Sequence, residues 1–124
     1  MSSNSLEGAH WYLAQLSGQA VQGGDGPRAA HLFLDAEKKR LTGSGGCNRL
    51  VAAYTVQDTT LRFGDIAATK MACPRDMALE RQFVQALGQV AGWRMRGSEL
   101  ELLDGAGQPV AGFRAGDAPR LGRR

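Results

Sequence analysis

Short apolar runs separated by glycine and polar punctuation make up most of the chain, and one longer stretch breaks that rhythm. His10-Trp11-Tyr12-Leu13-Ala14-Gln15-Leu16 is rich in aromatic and branched residues and predicts a first strand, with Trp11, Leu13 and Leu16 facing a core. Strands follow over 30–35, 40–43, 50–56 and 60–64; the last alternates apolar and polar with the period of a half-buried strand. Residues 65–69 extend that strand or form a short further one. Trp93–Arg96 and Glu99–Leu103, joined by Gly97-Ser98, read as a hairpin, and 109–114 as the closing strand. The exception runs from Met77 to Val90. There Leu79, Phe83, Val84, Leu87 and Val90 recur at helical spacing, while Glu80, Arg81, Gln82, Gln85 and Gln89 take the opposite, solvent-facing side. One amphipathic helix is expected over about residues 76–91, begun by Pro74 and Asp76 and ended by Gly92. The pattern as a whole predicts a mainly β (α+β) fold: seven to eight short strands forming an antiparallel sheet, packed on one helix.

Two stretches stand out from this alternation. Leu41-Thr42-Gly43-Ser44-Gly45-Gly46-Cys47-Asn48-Arg49 places three glycines where a strand ends, so it reads as a tight crossing point. Thr69-Lys70-Met71-Ala72-Cys73-Pro74 holds the second of the two cysteines, and the stretches are read as a matched pair. Gly43, Gly45 and Gly46 superficially resemble a phosphate-cradling loop. Such a loop needs Lys-Ser/Thr and then a helix, and here Cys-Asn and a strand follow. A bulge or crossing where side chains do not fit is the simpler reading. Asn48 is expected to lock the turn through its amide.

Composition adjusts this picture little. The 124 residues make one domain, 43% hydrophobic and 22% charged, with 17 glycines suited to many turns. The net charge of +3 owes much to Arg114, Arg120, Arg123 and Arg124. With no basic face interleaved with aromatics, a nucleic-acid partner is not expected. No run approaches the roughly 18 apolar residues of a membrane span. Residues 1–5 carry neither a basic nor an apolar segment of a leader, so they read as a disordered or introduced start. Residues 6–114 form the domain and 115–124 an arginine-rich flexible tail.

Candidate chemistry is sparse. A nucleophilic Cys47 would need a base, and neither His10 nor His31 is placed beside it by sequence. No Cys-x-x-Cys, zinc-finger spacing or acid–base pair is present. No catalytic residue, metal or cofactor is therefore expected. Cys47 and Cys73 read as a structural disulfide or as two buried thiols; in the first case, closing a loop of roughly 26 residues would stabilise the fold by about 3 kcal/mol. Trp11, Phe63 and Trp93 are core residues or the lining of an apolar pocket.

The order Leu41-Thr42-Gly43, Gly46-Cys47-Asn48-Arg49, Tyr54, Leu61, Phe63, Thr69-Lys70-Met71-Ala72-Cys73, and then a helix with Glu80 and Phe83 resembles the META domain of HslJ-type proteins. Leu6-Glu7-Gly8 with Trp11-Tyr12-Leu13 is similar to that domain's start, and Leu100 to Phe113 to its closing hairpin. The resemblance covers about residues 6–114. It implies a small antiparallel β-barrel-like sheet on one helix, and a bacterial envelope protein linked to heat shock and antibiotic tolerance. Its native precursor would be periplasmic or anchored to the outer membrane as a lipoprotein. The family has no shared catalytic activity, so the resemblance transfers no active site. The expected function is a non-enzymatic stress-response domain acting on a protein partner in the envelope. The alternative is a lipocalin-like binder of a small apolar ligand.

Overall fold

A computed structural model describes residues 6–21, 29–70 and 77–116. The strands are β1 (His10–Leu16), β2 (Gln19–Ala20), β3 (His31–Asp35), β4 (Arg40–Ser44), β5 (Arg49–Gln57), β6 (Thr60–Phe63) and β7 (Ala67–Ala68). The helix α1 (Met77–Leu87) precedes β8 (Gly92–Arg96), β9 (Glu99–Leu103) and β10 (Pro109–Gly116). All pairings are antiparallel, in the order β10-β9-β8-β6-β5-β4-β3-β1, and β10 pairs β1 to complete the ring. Closure removes the free edges that an open sheet would present. β2 and β7 are two-residue additions on β1 and β5. They raise the strand count above the expected seven to eight, while the ring itself has eight.

Alternation in the sequence becomes inside and outside. Leu41, Leu50, Leu61, Leu100 and Leu102 point inward, each 0% exposed, and Phe113 is at 1%. Burying each such side chain stabilises the fold by about 1.5–3 kcal/mol. Trp11, Leu13 and Leu16 are buried as expected. The ring is tightest at β1–β10, where Leu13 pairs Phe113, and weakest between β6 and β8, whose only register pair is Thr60↔Gly92.

Helix α1 stretches from the turn between β4 and β5 to the β1–β10 pair and covers that end of the barrel. Its Phe83 ring lies 6.0 Å from that of Phe113. Two expectations for the helix are corrected. It ends at Leu87, not near 91, and Gly92 is the first residue of β8. Gly92 serves the weak seam, since a Cβ there would stand 2.9 Å from the Thr59 carbonyl oxygen. Glu80, assigned to the solvent face, is buried at 5% exposure. The expected start at Pro74 and Asp76 lies outside the described residues, as do residues 1–5. Of the tail assigned to 115–124, Ala115 and Gly116 belong to β10, and the rest lies outside the described residues.

Candidate functional site

The β4–β5 turn is built around a carboxylate that comes from another part of the chain. Gly45 N–H donates to the Asn48 carbonyl at 3.1 Å, and Gly46, at φ 106°, donates to the Ser44 hydroxyl at 3.0 Å. Few residues other than glycine adopt that φ. The turn leaves the N–H groups of Cys47 and Asn48 facing inward, and Glu80 Oε1 accepts both, at 3.2 and 2.6 Å. Glu80 Oε2 accepts the Asn48 side-chain amide at 2.7 Å. A buried carboxylate is costly unless hydrogen-bonded, and here three donors meet it.

Two glycines make this approach sterically possible. A Cβ at Gly45 would run into the Glu80 side chain, and one at Gly43 would strike the His31 carbonyl oxygen across the β3–β4 ladder. Asn48 extends the network. Its Oδ1 accepts the Thr69 hydroxyl at 2.9 Å, and the same oxygen of Thr69 accepts Arg49 N–H at 3.0 Å. Thr69 N–H in turn donates to the Arg49 carbonyl. The two unusual sequence stretches therefore meet at Thr69 and Asn48. The turn-forming Gly43, Gly45, Gly46 and Asn48 are brought together as one cluster. Cys47 lies in it, half-buried, whereas Cys73 and hence the Cys47–Cys73 pairing lie outside the described residues. Glu80 is the residue that the sequence reading missed. Its signal was its spacing: Glu80, Phe83 and Leu87 fall on one helical stripe, and the charge hid its place there.

The cluster joins helix to sheet through Glu80, whose carboxylate accepts from backbone and amide donors. The two histidines sit elsewhere, on the outer face of β1 and β3. The His10 ring stacks on Phe33 at 4.6 Å, and His31 lies over Tyr12 at 5.6 Å with Nδ1 2.9 Å from the Ala29 carbonyl. Burial, with His31 nearby, holds the His10 pKa below its ordinary value. Among the described residues, no group of three or more His, Cys, Asp or Glu could hold a metal ion.

Of the residues expected to line an apolar pocket, Trp11 belongs to the core, and Phe63 and Trp93 pack against it. Trp11 is buried in the core and donates to the Leu6 carbonyl at 2.9 Å. Trp93, partly buried on β8, donates to the Asp58 carbonyl at 2.9 Å. Phe63 borders a shallow depression of about 280 Å³ with Tyr54 and Arg62. The Tyr54 hydroxyl donates to Glu7 at 2.6 Å, and Glu7 also faces Lys39 at 3.5 Å. Burial first, and then the bond to Glu7, push the Tyr54 pKa well above its ordinary value.

A closed eight-strand ring, capped by a helix whose glutamate is held in a Gly-Gly-Cys-Asn turn, is the architecture to compare with known proteins. The META domain model matches residues 4–117, nearly the whole chain. The chain belongs to the META domain family. Solved structures agree on the fold. An NMR structure of a protein from Burkholderia xenovorans aligns with a TM-score of 0.70 at 25% identity, over 94% of this META domain chain and 88% of that one. A second NMR structure aligns at 0.68 with 20% identity, over 92% and 94% of the two chains. A crystal structure of a DUF4847 family protein from Bacteroides vulgatus aligns at 0.66 with 13% identity, over 88% and 93%. Among curated proteins, none matches this META domain.

Proposed function

We propose that this META domain is a non-enzymatic stress-response domain of the bacterial envelope that acts on a protein partner through its outer surface. Its native precursor would be periplasmic or anchored to the outer membrane. One observation carries the preference for the surface over the interior. The inward positions are filled, with Leu32, Leu41, Leu50, Leu61, Leu100 and Leu102 at 0–1% exposure. An interior packed in this way leaves a lipocalin-like ligand little to enter. The depression beside Tyr54 and Phe63 is the foothold of that second reading.

Deletion of the gene in its native host, followed by heat and antibiotic challenge, tests the proposal. Lost survival that is restored by the full precursor, with the protein in the envelope fraction, is the expected result. Unchanged survival of the deletion strain, or recovery of the protein in the cytosol, would reject it. Stoichiometric uptake of an apolar dye such as N-phenylnaphthylamine by the purified domain would favour the ligand reading instead.

The envelope reading also implies an oxidising compartment and therefore a Cys47–Cys73 disulfide. Thr69, four residues before Cys73, is bonded to Asn48 and Arg49, which supports the pairing. Iodoacetamide should leave the mass of the oxidised protein unchanged; addition at both cysteines without reductant would remove the disulfide.

A further inference from the structure

The outer face of the barrel carries a cleft of about 480 Å³ where β8, β9, β10 and β1 run side by side. Its size lies within the roughly 300–1,000 Å³ of small-ligand sites. Three features suggest a built depression rather than a chance hollow. The first is its floor. Gly112 faces outward between Gln15 on β1 and Glu101 on β9, its register partners, so the row has a gap where a side chain would stand. The second is irregularity. The β1–β10 ladder slips between Leu13 and Gln15, and the β10–β9 ladder between Pro109 and Ala111. Both slips border this cleft, and bulges concentrate where a strand must re-aim side chains at a site.

The third feature is the chemistry of the walls. Glu101, its side chain 13% exposed, is held by Arg94 Nε at 2.7 Å and Arg96 Nη1 at 3.3 Å. Asp104 is occupied by the N–H groups of Ala106 and Gln108, each at 2.9 Å. The two acids and the two arginines balance, and each acid already has partners. The groups left over are the amides of Gln15 and Gln108 and the hydroxyl of Ser17. None of them makes a side-chain hydrogen bond among the described residues. They are neutral, and each can both donate and accept.

We propose that this cleft binds a neutral, polyhydroxylated ligand, a segment of uncharged oligosaccharide. A hydroxyl-rich ligand matches neutral groups that donate and accept in turn, and the ring of Pro109 offers an apolar surface for sugar C–H groups. A charged ligand finds two acids and two arginines that sum to no net charge. Along β1 and β10, which form the floor, a peptide added as a strand finds no edge, because each is paired on both sides. The inference is independent of the stress-response reading.

Amide chemical shifts of the ¹⁵N-labelled domain, titrated with cellotetraose, maltotetraose and chitotetraose to about 10 mM, test it; that range saturates a millimolar site, worth about 4 kcal/mol. At least one of the three should move the amides of Gln15, Ser17, Gly18, Gln108 and Gly112 together. Gly112→Val fills the floor and should weaken binding at least tenfold. Its Cβ has room, meeting Gln15 at an ordinary 3.5 Å, and a cooperative thermal transition of the variant checks that it folds. The double variant Gln15→Ala, Gln108→Ala should weaken binding with the floor left open. Overturning results are no shift at the cleft with any of the three sugars, or shifts that Gly112→Val leaves intact. Tighter binding of a sulfated tetrasaccharide or of tetra-alanine than of any neutral sugar would overturn it as well.

Discussion

Glu80 is the residue on which the helix and the sheet agree. Its carboxylate meets Cys47 N–H, Asn48 N–H and the Asn48 amide. Removing it leaves buried donors without an acceptor, at about 1–3 kcal/mol for each. Glu80→Ala should therefore destabilise the domain by about 3–5 kcal/mol in urea unfolding. Glu80→Gln should cost less, because one of its two polar ends still accepts. Equal and small losses for both would show that the three bonds carry little net stability. At Gly45 the expectation is steric: Gly45→Ala drives a methyl group into Glu80 and should destabilise, while Gly105→Ala, with open space around it, should not.

Among the described residues, His10 and Tyr54 contribute to the pH dependence in opposite directions. The His10 pKa is lowered by burial and by His31, so near pH 6 the unfolded chain binds more protons than the folded one. That contribution is present above the ordinary histidine value and is lost as pH falls through the folded pKa. Tyr54 works in the opposite direction. Its pKa is raised, by burial first and then by the bond to Glu7. Its contribution is full below the ordinary phenol value of about 10 and is lost as pH rises beyond it. Stability measured across pH should fall on both sides of a plateau; His10→Gln should flatten the acid arm and Tyr54→Phe the alkaline arm.

At the scale of elements, the apolar alternation placed the strands well, because each strand is half-buried and its period is local. The hairpin at Gly97-Ser98 was legible for the same reason, with Gly97 at φ 63°. β2 was not, since two residues carry no period and such a strand forms only against a neighbour already in place; β7 realises the second of the two readings of residues 65–69, a short separate strand, paired with β5. The helix end was misread because Gly92 serves a strand contact with Thr59, which no local pattern reveals. The β6–β8 seam, with a single register pair, should open before the rest of the ring. In hydrogen exchange, the amides of Leu61 and Trp93, which bridge the seam to Ala91 and Thr59, should exchange faster than those of Leu41 and Leu50. Equal protection would mean that the ring opens only as a whole.

At the scale of the molecule, β10 joins chain end to chain start. It pairs β9 on one side and β1 on the other, and its Phe113 packs against Phe83 of the helix. A chain ended after Asp104 loses that strand, exposes an edge on both β1 and β9 and uncovers the core. It should show no cooperative thermal unfolding, whereas the full domain should unfold in one transition; a cooperative transition in the short chain would mean that closure is dispensable.

The strands of the ring, the apolar stripe of the helix and the special role of the Gly-Gly-Cys-Asn turn are legible in the chain before it folds. Each of these is written in the spacing of nearby residues. That β1 closes on β10, that β6 barely meets β8 and that Glu80 turns inward emerges once distant parts of the chain are packed together. The partners of Glu80 lie 32 and 33 residues away, and a carboxylate reads as solvent-facing until the donors that make its burial favourable are in place.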